Sequence, residues 1–204
     1  MDLLAIGTDT KVALGVTAVV IGLASYVPYL QNIINGRARP HAFSWLVWGL
    51  LTVVSFAGQV VKGAGAGSRV TGVTAILCFV IFGFSLARGE KSITRGDCVS
   101  LSFALLAIPL WVVTNEPLLA IILVTVIDAV GFYPTVRKSW TKPWEETALT
   151  YFGSSVKFFL AILALEQYSV TTVLYPLYLV VSNLMFVALV LWRRQIEPVS
   201  SRVA

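Results

Sequence analysis

Charge is scarce in this chain. Asp, Glu, Lys and Arg make up 12% of its 204 residues, against about 25% in an ordinary soluble domain, while hydrophobic residues make up 57% and the mean hydropathy is +0.85. Water cannot solvate that balance, because most of the surface of a small fold must face solvent. Histidine occurs once, at His41, and cysteine twice, at Cys78 and Cys98. Neither cysteine has a partner at metal-ligand spacing, and both read as small apolar filler. There is no His-Glu-x-x-His, no Gly-x-Ser-x-Gly and no cluster of histidines or acids, so the expectation is no catalytic residue, no metal, no cofactor and no enzyme. A dense basic tract is also missing despite a pI near 9.4, which argues against a nucleic-acid partner. The chain opens Met1-Asp2 without a basic leader or a clear cleavage site, so the first apolar run reads as a retained helix.

What is abundant is long apolar sequence. A membrane-spanning helix needs about 20 mostly apolar residues, and seven candidate spans fit. They run from about Lys11 to Ile34, Ala42 to Val61, Arg69 to Ala87, Asp97 to Thr114, Pro117 to Val136, Glu146 to Leu165 and Val170 to Trp192. Between them, Gly63–Ser68 reads as a flexible link and Asn115-Glu116-Pro117 as a tight turn with proline at a first helical position. Glu145 and Glu146 favour the start of helix 6. Lys and Arg divide unequally among the connections. The 1–2, 3–4 and 5–6 loops and the C-terminal tail carry 11 and the other side carries 3, with Lys157 inside a helix. That bias predicts the N-terminus outside and the C-terminus in the cytoplasm, as an odd number of spans requires.

A repeat is visible. Helix 1 ends Tyr26-Val27-Pro28-Tyr29-Leu30-Gln31 and helix 5 ends Phe132-Tyr133-Pro134-Thr135-Val136-Arg137, the prolines 106 residues apart. Shifting by that offset lays helices 1–3 over helices 5–7 and leaves helix 4 between them. The expected fold is therefore an all-α membrane protein of two parallel three-helix bundles joined by a linker helix (3+1+3). Its units are 1–88, 89–115 for the linker, and 116–204 including the cytoplasmic tail.

The ionisable side chains inside helices are Asp128 and Lys157, both in the second unit. Each costs at least about 2.5 kcal/mol in a membrane and marks function when it is kept. Each lies about 11 residues into its predicted helix, roughly 16 Å deep in a core about 30 Å thick. Consecutive helices could bring them together. They then form either a static ion pair that fixes helices 5 and 6, or a site for a charged or polar solute, or a proton switch. Polar stripes at helical spacing add Trp45, Trp48, Thr52, Ser55 and Gln59 on helix 2, Thr150, Ser154 and Lys157 on helix 6, and Tyr175, Tyr178 and Ser182 on helix 7. Such faces turn inward, toward partners or a cavity. For Trp45 and Trp48 an interfacial aromatic belt is the competing reading. Pro28 and Pro134 are either helix terminators or hinges. His41 reads as a solvated loop residue.

The chain resembles the PQ-loop superfamily and, within it, the SWEET and SemiSWEET sugar transporters. The resemblance rests on Pro28-Tyr29-Leu30-Gln31, the loop Asn35-Gly36-Arg37-Ala38-Arg39-Pro40, Phe43-Ser44-Trp45-Leu46-Val47-Trp48 and the counterpart Phe132-Tyr133-Pro134. A strict Pro-Gln pair is missing from both units, and helices 2 and 6 lack the interior proline usual in SWEET transporters. The resemblance implies alternating access about a central site. It also implies a substrate-binding role for Asn183, which is similar to the asparagine of the third helix in the second unit. Helix 3 has no asparagine, and Thr74 or Cys78 lies in the corresponding region. The expected function is transport of a small polar solute (sugar, amino acid or organic acid), with proton coupling left open. Trp48, Thr52, Asp128, Ser154, Lys157 and Asn183 line the site, Pro28 and Pro134 are the hinges, and the location is the plasma (inner) membrane. The partners are the solute and the bilayer, with homo-oligomerisation left open. The alternative is a non-transporting seven-helix receptor or scaffold. A retinal protein would need a lysine on helix 7, which has none.

Overall fold

A computed structural model describes residues 7–36, 40–89, 95–141 and 143–196, the side chains of Asp97, Ser100, Pro134, Lys138 and Glu145 excepted. Arg37, Arg39, Lys91, Lys142 and Arg202 of the charge count, together with the Lys138 side chain, fall outside the described residues. Seven α-helices follow one another: α1 Thr8–Ile34, α2 Ala42–Val61, α3 Ser68–Arg88, α4 Arg95–Thr114, α5 Pro117–Thr141, α6 Ala148–Leu163 and α7 Val170–Ile196. Among the described residues no strand occurs. α1, α2, α3, α5 and α7 are long and apolar enough to cross a membrane, whereas α4 and α6 contribute the shorter apolar stretches Leu101–Thr114 and Ala148–Leu163.

The outside of the bundle is apolar, and its interior sets polar side chains among apolar core residues such as Leu51, Ile81, Ile121 and Val124. Val20, Val53, Ile76, Val126, Val130 and Met185 are exposed, while Thr52, Ser55, Gln59, Thr71, Thr74, Asp128, Lys157 and Asn183 are buried. Buried polar groups and exposed apolar patches are the informative observations about a surface. Here both point to lipid as the surrounding solvent.

Local chemistry sets the helix ends. His41 is the N-cap of α2, its Nδ1 accepting from the Ser44 N–H at 3.4 Å. A cap of this kind satisfies a backbone donor that the helix itself leaves orphaned. His41 is therefore part of a helix start rather than a solvated loop residue. Helix α6 is shorter than its apolar run. Pro143–Glu145 forms a separate 3-10 turn ahead of it, and the Tyr168 hydroxyl donates to the carbonyls of Ile162 and Leu163 at 2.9 and 3.4 Å, closing its far end. Lys157 thus sits six residues from that end, about 9 Å along the axis, where the expected span to Leu165 put it eight residues away. Pro28 lies within α1, which runs on six residues to Ile34, so it does not terminate the helix. The backbone of α5 likewise continues past position 134 to Thr141; the Pro134 side chain is outside the described residues.

Gly63–Ser68 is not a flexible link. Ala64 and Ala66 are fully buried, residues 65–67 form a 3-10 turn, and the segment is tied to the α6–α7 connection by two backbone hydrogen bonds. Gly67 N–H donates to the Ala164 carbonyl at 3.1 Å and Glu166 N–H to the Ala64 carbonyl at 3.0 Å. The glycines make this approach possible. Gly65 has φ +62°, a left-handed value that disfavours any side chain. A Cβ on Gly67 would come within 2.4 Å of the Ala161 carbonyl oxygen.

Helix neighbours follow a repeated order. α3 packs along both α1 and α2, and α7 packs along both α5 and α6. Between these groups α1 lies on α6, α2 lies on α5, and α4 covers α5 and α2. Among the described residues, α5 and α6 do not pack along one another.

Candidate functional site

That order decides where the two interior charges go. Asp128 is on the α5 face toward α2 and α7. It is 5% exposed, its Oδ2 accepts from the Tyr175 hydroxyl at 2.9 Å, and the Trp48 indole of α2 reaches the same carboxyl. Lys157 is on the α6 face toward α1 and α3. It is 1% exposed, and its ammonium donates to Thr74 Oγ1 at 3.0 Å. The same ammonium stands 4.9 Å from the Tyr26 ring centre and 4.8 Å from that of Phe158, and ring faces attract cations most when both are desolvated. Asp128 and Lys157 do not pair with each other. Their helices are neighbours in sequence but do not pack along one another, α5 lying along α2 and α7 and α6 along α1 and α7, so the ion-pair expectation fails for a topological reason.

The two half-sites nevertheless meet. Trp48 of α2 joins them, packing on one side against the cluster that holds Tyr26, Trp45 and Cys78 and on the other against the cluster that holds Tyr175. Ser154 of α6 contacts the Tyr26 hydroxyl of α1. Thr52 Oγ1 donates to the Trp48 carbonyl of its own helix at 2.7 Å. Trp48, Thr52, Asp128, Ser154 and Lys157 therefore belong to one buried polar cluster fed by six helices, with Tyr26, Thr74, Cys78 and Tyr175 as further members. Asn183 is buried, its Nδ2 donating to the Leu179 carbonyl of its own helix at 2.6 Å.

Trp45 is buried and Trp48 half-buried; they stack edge-on at 5.2 Å, so neither belongs to a lipid-facing belt. Toward the α2–α3 end the polar face continues. Ser55 Oγ, Gln59 Oε1 and Thr71 Oγ1 are buried without a hydrogen-bond partner among the described residues, while Gln59 Nε2 donates to the Thr172 carbonyl of α7 at 3.1 Å. Orphaned buried acceptors of this kind ordinarily hold water or a ligand group.

No family model, no curated protein and no solved structure matches the chain. Its own geometry supplies internal comparisons instead. At the 106-residue offset, Tyr26 and Trp45 correspond to Phe132 and Tyr151. The first pair meets at 6.3 Å and the second at 6.1 Å. Arg88 and Arg194 also correspond. Arg88 donates to the Ile34 carbonyl at the end of α1, and Arg194 to the Pro143 and Glu146 carbonyls between α5 and α6. Arg88 thus ties the end of α3 to the end of α1, and Arg194 ties the end of α7 to the connection between α5 and α6. By the same offset Asp128 corresponds to Gly22, and Lys157 to Leu51. The corresponding interfaces are α1 on α6 and α2 on α5, so each carries one charge. A Cβ on Gly22 would touch Lys157 Cδ at 3.0 Å, which shows that the small residue makes room for the long one.

Tyr26 and Phe158 were not among the residues chosen from the sequence. Aromatic residues are common in apolar helices, and only the packing of α1 on α6 turns these rings toward an ammonium.

Proposed function

We propose that this chain is a multi-pass carrier of a small polar solute. It works as two parallel three-helix bundles, α1–α3 and α5–α7, with α4 as the link, after the manner of the PQ-loop and SWEET proteins it resembles. The observation that carries the reading is the buried polar cluster shared by the two triplets. An acid on the α2–α5 interface and a base on the α1–α6 interface are both buried, near the buried oxygens of Ser55, Gln59 and Thr71 that have no hydrogen-bond partner among the described residues. A packing role alone would be filled at lower cost by apolar residues. The third-helix-in-the-middle order of each triplet, the matched aromatic pairs and the matched arginines support the repeat. In this reading α4 and α6 cross the bilayer as well, the N-terminus lies outside and the C-terminus lies in the cytoplasm of the plasma (inner) membrane.

Transport proceeds by rocking one triplet against the other. Trp48, Thr52, Asp128, Ser154 and Lys157 contact the solute, Asn183 lines its path toward the cytoplasm, and Pro28 and Pro134 serve as hinges. The acid and the base favour a zwitterion or an organic acid over a neutral sugar, and Asp128 is the group through which protons would couple. Uptake of labelled amino acids, organic acids and sugars into proteoliposomes, with and without a pH gradient, tests this. Flux should fall at least tenfold in Asp128→Asn and Lys157→Met. Flux of every solute equal to that of empty vesicles favours the receptor or scaffold reading, and full flux in both variants removes the site.

A further inference from the structure

On the outer surface of the bundle, α5 and α7 leave a groove of about 570 Å³ between them, lined by Ala129, Phe132, Tyr178, Met185, Ala188 and Trp192 among others. Met185 at its wall is 68% exposed. From Tyr178 to Trp192 the groove follows α7 for about 21 Å, more than one leaflet of a core about 30 Å thick. Its lower end is different in kind. Trp140 and Trp192 meet at 5.6 Å, and the Arg193 guanidinium lies 5.0 Å from the first ring centre and 5.9 Å from the second. Arg137, exposed on α5, lines an adjoining hollow of about 280 Å³ with Tyr133 and Trp140. The apolar run of α7 begins at Val170, 22 residues before Trp192, so this mouth falls about 33 Å along the helix, at the headgroup level where tryptophans concentrate.

We propose that the α5–α7 groove seats an anionic phospholipid. One acyl chain lies along Ala129 and Ala188, and the phosphate meets Arg137 and Arg193 at the Trp140–Trp192 mouth. Charge complementarity selects this occupant. Copies in one membrane share an orientation, so a two-fold contact through the groove would set the arginines of both copies at the same level. The inner end of the groove is Tyr178, stacked at 6.2 Å on the Tyr175 that holds Asp128, so the lipid borders the polar cluster. Nothing in this proposal depends on what the chain carries.

The test uses the full chain in nanodiscs of phosphatidylcholine doped with brominated phosphatidylglycerol or brominated phosphatidylcholine, with quenching of tryptophan emission as the readout. Trp140 and Trp192 are the reporters at the mouth. The anionic lipid should be preferred, by about fivefold for each arginine engaged. Arg137→Gln and Arg193→Gln should each remove about that factor, and Ala188→Leu, which fills the groove without adding a fluorophore, should abolish the preference. Equal quenching by both lipids in the unmodified chain overturns the proposal, as does a preference that survives both arginine variants. An Ala188→Leu chain that changes only from dimer to monomer, with its lipid preference intact, assigns the groove to a second copy instead. Arg137 is on an exposed surface, so Arg137→Gln decides the matter if Ala188→Leu does not fold.

Discussion

The backbone contact between the α2–α3 and α6–α7 connections can be broken by a single methyl group, and the two glycines within it should respond differently. On Gly67 a Cβ would lie 2.4 Å from the Ala161 carbonyl oxygen and 3.0 Å from the Leu165 nitrogen. Both are backbone atoms of the helix end it rests on, so the connections must separate. Overpacking of this kind costs about 1–3 kcal/mol. Loss of the hydrogen bonds from Gly67 N–H and Glu166 N–H adds about 1 kcal/mol each. On Gly65 the nearest obstacle is the tip of the exposed Glu166 side chain, at 2.0 Å, which can swing away. What remains there is the left-handed φ of +62°, worth about 1–2 kcal/mol. Gly67→Ala should therefore cost about 3–5 kcal/mol, and Gly65→Ala about 1–2 kcal/mol. At roughly 2–4 °C per kcal/mol for a chain of this size, the first should lower the melting temperature of the purified protein by about 10 °C and the second by less than half of that. Melting followed by size-exclusion chromatography in detergent reads both. If Gly67→Ala melts with the unmodified chain, or no lower than Gly65→Ala, the contact is not the rigid closure inferred from its geometry.

Other outcomes follow from the polar cluster and the ends of the bundle. Thr74→Val removes the hydrogen-bond partner of a fully buried ammonium and should destabilise by about 1–3 kcal/mol, whereas Lys157→Met removes the charge itself and should leave the melting temperature unchanged or raised. The reverse order in a melting experiment would refute the assigned partner. Tyr175→Phe deletes the hydroxyl bound to Asp128 and should reduce flux in proteoliposomes less than Asp128→Asn does; equal or larger losses would make the tyrosine the principal group. Cys98 is exposed and Cys78 buried, so a maleimide should modify Cys98 in the folded protein and reach Cys78 only after denaturation, as mass spectrometry of the labelled chain would record. In intact cells an impermeant maleimide should miss Cys98 until the membrane is opened, and labelling beforehand would reverse the proposed orientation.

Much of this was legible in the sequence because helix length, apolar content and the positions of Pro28 and Pro134 are local properties. Asp128 and Lys157 stand out in apolar runs, and their burial follows from the cost of placing charge in lipid. Their partners were not legible. Sequence adjacency suggested that α5 and α6 pack along one another, whereas each packs along α7 instead and the two meet at the Phe132–Tyr151 ring contact, with the acid going to Tyr175 and the base to Thr74. Gly63–Ser68 has the composition of a loose linker. Only the facing Ala164–Glu166 segment shows that its glycines are small because another backbone passes close by. His41 gave no sign of its capping role, since histidine is an uncommon cap.

The packing of α1 on α6 has a consequence for biogenesis. When α1 enters the bilayer, the helix that will cover Gly22 and Tyr26 has still to be synthesised, more than 120 residues downstream. The earlier helices must wait with that face unfilled, while Thr74 and the Tyr26 ring already form a seat. On the proposed topology, in which α6 also crosses, Lys157 would insert late into a place built to receive its charge, so the least lipid-compatible side chain of α6 need never cross bare hydrocarbon.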